Sequence, residues 1–139
     1  MLKKFYARLL AAVLVIGVVV CGTMSGASAV RSSSSANDRV TGISYYIKEQ
    51  QMRGITTDAI GEGKGCRIFL QMTLNYRDKN GREKTTFSPM YAKNHQMSLS
   101  KTLHSGRGTR AIDGYSYHAV KFADELSETY TQIRWGEDE

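Results

Sequence analysis

The residues of this 139-residue chain best equipped for chemistry are His95, His104, His118, Cys66 and the basic run around Arg107. Imidazoles can hold a metal or move protons, and one of them beside Lys101 would suit general acid–base work on a phosphodiester. The histidines are nine and fourteen residues apart, which matches no compact metal motif. His95 and His104 also sit among polar, turn-forming neighbours. No triad order, no paired carboxylates at a working spacing and no cofactor fingerprint occur, so no catalytic residue, metal or cofactor is assigned. An enzyme is not expected.

The segment His104-Ser105-Gly106-Arg107-Gly108-Thr109-Arg110 is the strongest candidate for recognition. Guanidinium groups fork onto phosphate or carboxylate, and glycines let the backbone approach closely. Arg107 and Arg110, helped by Lys101, are the expected anion-binding residues. Their partner would be an anionic cell-wall polymer or a membrane surface. The run lacks the spacing of either phosphate-binding glycine-rich loop, and a solvated connector explains the same residues. Cys66 is the candidate for an intermolecular disulfide. It shares parity with Ile68 and Leu70, however, which turns it toward the core as a small hydrophobe. Seven Tyr, three Phe and Trp135 follow residue 29. Tyrosine-rich strand faces bind glycans or proteins when they are exposed, because each side chain joins apolar area to a polar tip.

The elements that must position these groups begin after an export segment. Lys3, Lys4 and Arg8 precede an apolar run from Leu9 to Cys21, and Ala27-Ser28-Ala29 offers the small residues of a cleavage site. Residues 1–29 therefore read as a signal peptide, with the mature chain starting at Val30. Retention as an anchor, or lipidation of Cys21, are the alternatives. Sixteen of the nineteen bases and all thirteen acids lie after residue 29, so the mature charge is +3. That is too weak a bias for a specific nucleic-acid partner. Residues 30–39 read as a flexible polar leader, 40–135 as one domain and 136–139 as an acidic tail.

Within the domain, Ile68, Leu70, Met72 and Leu74 alternate with polar residues, the period of a half-buried strand. Asn80-Gly81 then supplies the two positive-φ residues of a type I′ turn. A return strand over 83–91 should end at Pro89 or lie on an edge. Met97, Leu99, Lys101 and Leu103 alternate as well. Segments 43–53 and 115–133 fit either period, but their Tyr, Thr, Val and Ile content favours strands, with a break around Asp124-Glu125. The expected fold is mostly β, a small single-domain antiparallel sandwich or barrel of about five to six short strands. A sheet with one C-terminal helix is the alternative.

These readings point to a small secreted or envelope-associated domain, monomeric or weakly dimeric, that binds rather than catalyses and is anion-directed. A secreted cationic antimicrobial effector is the alternative. In size, signal peptide and β-rich, aromatic-ended chain the sequence is similar, at class level, to small secreted β-sandwich bacteriocins. A phosphodiester-directed hydrolase using His95, His104 or His118 comes third.

Overall fold

The alternating run from Cys66 forms the central strand of the protein. A computed structural model describes residues 31–36 and 38–136, with side chains from Asp38 onward. The expected signal peptide with its cleavage site, Cys21 and the last three acidic residues lie outside the described residues. Nine strands follow in order: β1 Arg31–Ala36, β2 Val40–Lys48, β3 Gln51–Asp58, β4 Cys66–Arg77, β5 Glu83–Phe87, β6 Tyr91–Asn94, β7 Ser98–His104, β8 Arg110–Phe122 and β9 Glu125–Arg134. They form two sheets, one ordered β1-β2-β3-β7 and the other β5-β4-β8-β9, with β6 also paired to β4. Every pairing is antiparallel. The mostly-β sandwich is thus the fold, and no helix occurs among the described residues.

The strands number more than six for three local reasons. The 43–53 segment is two strands, β2 and β3, which reverse at Glu49-Gln50. The stretch expected as a flexible leader runs antiparallel to β2 instead, with Ser33 opposite Ile43. The expected return strand is split by Pro89, which has no N–H for a ladder. Ser88 closes the gap: its N–H donates to the Met72 carbonyl at 2.8 Å, and its Oγ accepts the Met72 N–H at 2.8 Å. β5 and β6 are therefore two pieces of one edge, both lying along β4.

Between the sheets, Ile68, Leu70, Met72 and Leu74 meet Val40, Tyr46, Met52, Leu99, Val120 and Ile133, all essentially inaccessible. The 115–133 region is two strands, as its composition favours, joined by a two-residue turn at Ala123-Asp124. The interior is only half hydrocarbon, however. Its other half is a hydroxyl and imidazole layer built from Ser44, Thr56, Ser116, His118, Thr129 and Thr131. Gly42 makes room for this layer, since a Cβ there would stand 2.2 Å from the His118 ring.

The β4–β5 turn corrects one expectation. The Gly81 N–H donates to the Asp78 carbonyl at 3.0 Å, and the Asp78 N–H donates to the Arg82 carbonyl at 2.8 Å. Gly81 has a φ of 79°, whereas Asn80 is not among the positive-φ residues. This is a type I turn over 78–81 followed by a glycine bulge, not a type I′ turn. The Asp78 carboxylate selects it by accepting the N–H groups of Asn80 (2.9 Å) and Arg82 (3.0 Å). Those bonds hold its carboxyl below the usual carboxylate range. An added Cβ at Gly81 meets nothing within 4 Å, so Gly81→Val tests backbone conformation alone. The expected cost is about 1–3 kcal/mol in denaturant melts. An unchanged midpoint would contradict the turn.

Candidate functional site

The arginine loop is firmly built. Ser105 donates its N–H to the Gln50 carbonyl at 3.0 Å, and Gln50 Nε2 donates to the Thr109 carbonyl at 3.0 Å. Inside the turn the Thr109 hydroxyl donates to the Gly106 carbonyl at 2.7 Å and accepts from Ser105 Oγ at 2.5 Å. Gly106 and Gly108 take φ values of 104° and 76°, which only glycine adopts easily. Arg107 is exposed at the tip. Arg110 begins β8 and donates from Nε to Glu49 Oε1 at 3.1 Å. Lys101 is elsewhere: it pairs with Gly54 on β3, three residues back along β7 from His104. Its ammonium stands 5.1 Å from the centre of the Tyr91 ring. The fold thus groups the two arginines, commits one of them to a carboxylate, and places the lysine apart from both.

The histidines are dispersed as well. His95 is exposed and accepts the Gly65 N–H on Nδ1 at 3.1 Å, while His104 is exposed beside Gln51. His118 is sealed between the sheets, with Thr56 Oγ1 2.9 Å from Nδ1 and Thr131 Oγ1 2.8 Å from Nε2. Ser44 links Thr131 (2.5 Å) to Ser116 (2.7 Å). Because Ser44 donates to Ser116, it must accept from Thr131. Thr131 then accepts Nε2–H, and Thr56 donates to Nδ1. One orientation satisfies the whole chain, and burial lowers the imidazole pKa to about 4. This histidine is a structural group. Among the described residues no three of His, Cys, Asp and Glu stand close enough to share a metal ion.

Cys66 is buried, and its thiol donates toward the carbonyls of Gly63 (3.3 Å) and Gln96 (3.4 Å). Burial first, then the nearby Asp58 carboxylate, pushes the thiol pKa up, so little thiolate forms. An interchain bridge at this position requires the fold to open. With Cys21 replaced by Ser, we expect no labelling of native protein by a soluble thiol reagent over a time that labels the unfolded chain fully. Labelling at equal rates would contradict the burial.

The tyrosine-rich strand face raised by the residue types is the outer face of the five-stranded sheet, though the sequence did not show which residues share it. Cross-strand register sets Phe87, Thr73, Tyr115 and Gln132 side by side across β5, β4, β8 and β9. The next row carries Gln71, Tyr117 and Tyr130. Phe87 and Tyr130 are each 67% exposed and Tyr115 is 40% exposed. The Tyr117 and Tyr130 rings lie 5.4 Å apart in a tilted pair. Polar partners hold these side chains in place. The Tyr117 hydroxyl donates to Glu128 Oε2 at 2.8 Å, and Gln132 Nε2 donates to the Tyr115 hydroxyl at 3.2 Å. Asn75 Nδ2 donates to Asp113 Oδ1 at 2.6 Å. Desolvation and the Glu128 contact push the Tyr117 pKa up to about 12, so this phenol stays a donor. The alternation of Tyr115 and Tyr117 is visible in the sequence. The signal that they point outward is the intervening parity, Gly114, Ser116, His118 and Val120, which supplies the buried face.

Compared with known proteins, the chain matches no family model, and no curated protein is significantly similar to it.

Proposed function

We propose that this chain is an exported, non-catalytic binding domain that engages its partner through the outer face of the five-stranded sheet. The observation that carries this reading is the aromatic group Phe87, Tyr115 and Tyr130, set on β5, β8 and β9 around the half-buried Tyr117 and left exposed by the fold. Large aromatics exposed together on rigid elements mark interaction surfaces, where they supply contact area at little entropic cost. The arginine loop is the weaker candidate, because Arg110 is already paired with Glu49. Export rests on the basic n-region, apolar run and small-residue site of residues 1–29.

The test compares wild type with a Phe87→Ala/Tyr130→Ala variant for retention on the isolated envelope fraction of the cells that export the protein. Both side chains are mostly exposed, so the variant should keep its melting midpoint. Retention should fall at least about tenfold, as for loss of central aromatic contacts. Equal retention of both proteins, or no retention of wild type, would contradict the reading.

A further inference from the structure

We infer that the occupant of this face is an uncharged polysaccharide, an inference that rests on the face being the binding surface. The first argument is the mixture of groups. In the first row aromatic rings alternate with Thr73 and Gln132, and in the second Gln71 adjoins the Tyr117–Tyr130 pair. The aromatic area is thus broken up by polar side chains and phenol hydroxyls and is not the plain hydrocarbon core that a protein partner would fill. A sugar ring has the complementary mixture, an apolar C–H face that lies on an aromatic ring and hydroxyls around its rim that both donate and accept. The face offers partners for both roles: amide donors at Asn75 and Gln132, and carboxylate acceptors at Asp113 and Glu128.

The second argument is charge. Asp113 is held by Asn75 and lies 3.4 Å from the Tyr115 hydroxyl, Glu128 accepts from Tyr117, and the Arg67 guanidinium lies 5.3 Å from the centre of the Phe69 ring. The two aromatic rows carry no charged side chain, and both signs occur at each end of them. Arg134 stands opposite Asp113 and Glu83 opposite Arg77 at one end, while Glu128 lies near the Arg67–Lys121 pair at the other. The face therefore presents no single-sign field for an anionic polymer or headgroup. The third is extent. With strands about 4.8 Å apart, Phe87 and Tyr115 are separated by about 10 Å, and Tyr130 lies one strand further. That platform accommodates several linked rings, and its length favours a chain over a single sugar.

The experiment uses the same envelope fraction, divided and treated with protease or with periodate, which cuts vicinal diols. Full-length wild type should be retained after protease treatment and lose at least tenfold after periodate. Retention should also persist in about 1 M salt, where the Debye length is about 3 Å. The Phe87→Ala/Tyr130→Ala variant should show the loss without either treatment. Loss on protease treatment alone would overturn the polysaccharide while leaving the binding face intact, since the occupant would be a protein. Loss in salt would likewise overturn an uncharged ligand and move recognition to the Arg107 loop. If untreated envelope retains nothing, the binding reading itself falls.

Discussion

Replacing Asp58 with alanine should cost about 3–5 kcal/mol of folding stability, the largest single effect expected at any charged position. Asp58 is fully buried at the end of β3, and its Oδ2 lies 3.0 Å from Arg39 Nη2. The Arg39 guanidinium also covers the Phe122 ring at 4.4 Å, and the arginine is itself nine-tenths buried. Removing the carboxylate leaves that cation without its partner in a poorly solvated site. It also frees the N–H groups of Ile60 (3.1 Å) and Gly63 (3.4 Å), through which Asp58 ties down the crossing from one sheet to the other. An Arg39→Met/Asp58→Leu double variant should be less destabilised than Asp58→Ala, because no charge is stranded. Urea melts of the three proteins check this. A cost below about 1 kcal/mol for Asp58→Ala would mean that the pair is solvated.

The second large effect is acid sensitivity at His118. The imidazole titrates near 6.5 when unfolded and near 4 in the folded chain, because burial disfavours its charge. Above pH 6.5 both states hold it neutral and stability is unaffected. As pH falls from 6.5 to 4 the unfolded state takes up the proton first, so stability is lost progressively, reaching about 3 kcal/mol, and then levels off. Asp78, whose carboxyl is held below its ordinary 3.8, keeps its stabilising bonds through this range and loses them only at lower pH. His118→Gln separates the contributions, since an amide bonds to both threonines without titrating. Stability against pH should be flatter for the variant between pH 6.5 and 4. Parallel curves would contradict a neutral, buried imidazole.

Much of this fold was legible because period 2 is a strong signal wherever hydrocarbon occupies one parity. Ile68 to Leu74 announced β4, and Pro89 announced a broken edge. The same signal said less where the inward residues are polar. Along β8 the buried side chains include Ser116 and His118, while Tyr115 and Tyr117 face outward, so hydrophobicity alone does not orient the strand. That inversion works because Thr56 and Thr131 satisfy His118 from opposite sides, a contact between residues 62 and 13 positions away that no local pattern reveals. The turn type was misread for a comparable reason. Asn-Gly permits type I′, but the Asp78 carboxylate caps a type I turn that starts one residue earlier. The arginines were visible as chemistry, whereas Glu49, which engages Arg110, lies 61 residues away in the chain. The aromatic face needed three-dimensional register, since Phe87, Tyr115 and Tyr130 come from three strands.

Backbone amide shift mapping of the isotopically labelled protein, titrated with soluble fragments of the envelope polysaccharide, tests the central claim most directly. The account predicts that shifts cluster on β4, β5, β8 and β9 around Thr73, Phe87, Tyr115, Tyr117 and Tyr130, with the outer face of the β1-β2-β3-β7 sheet unchanged. Shifts confined to residues 105–110, or to that other sheet, would contradict it.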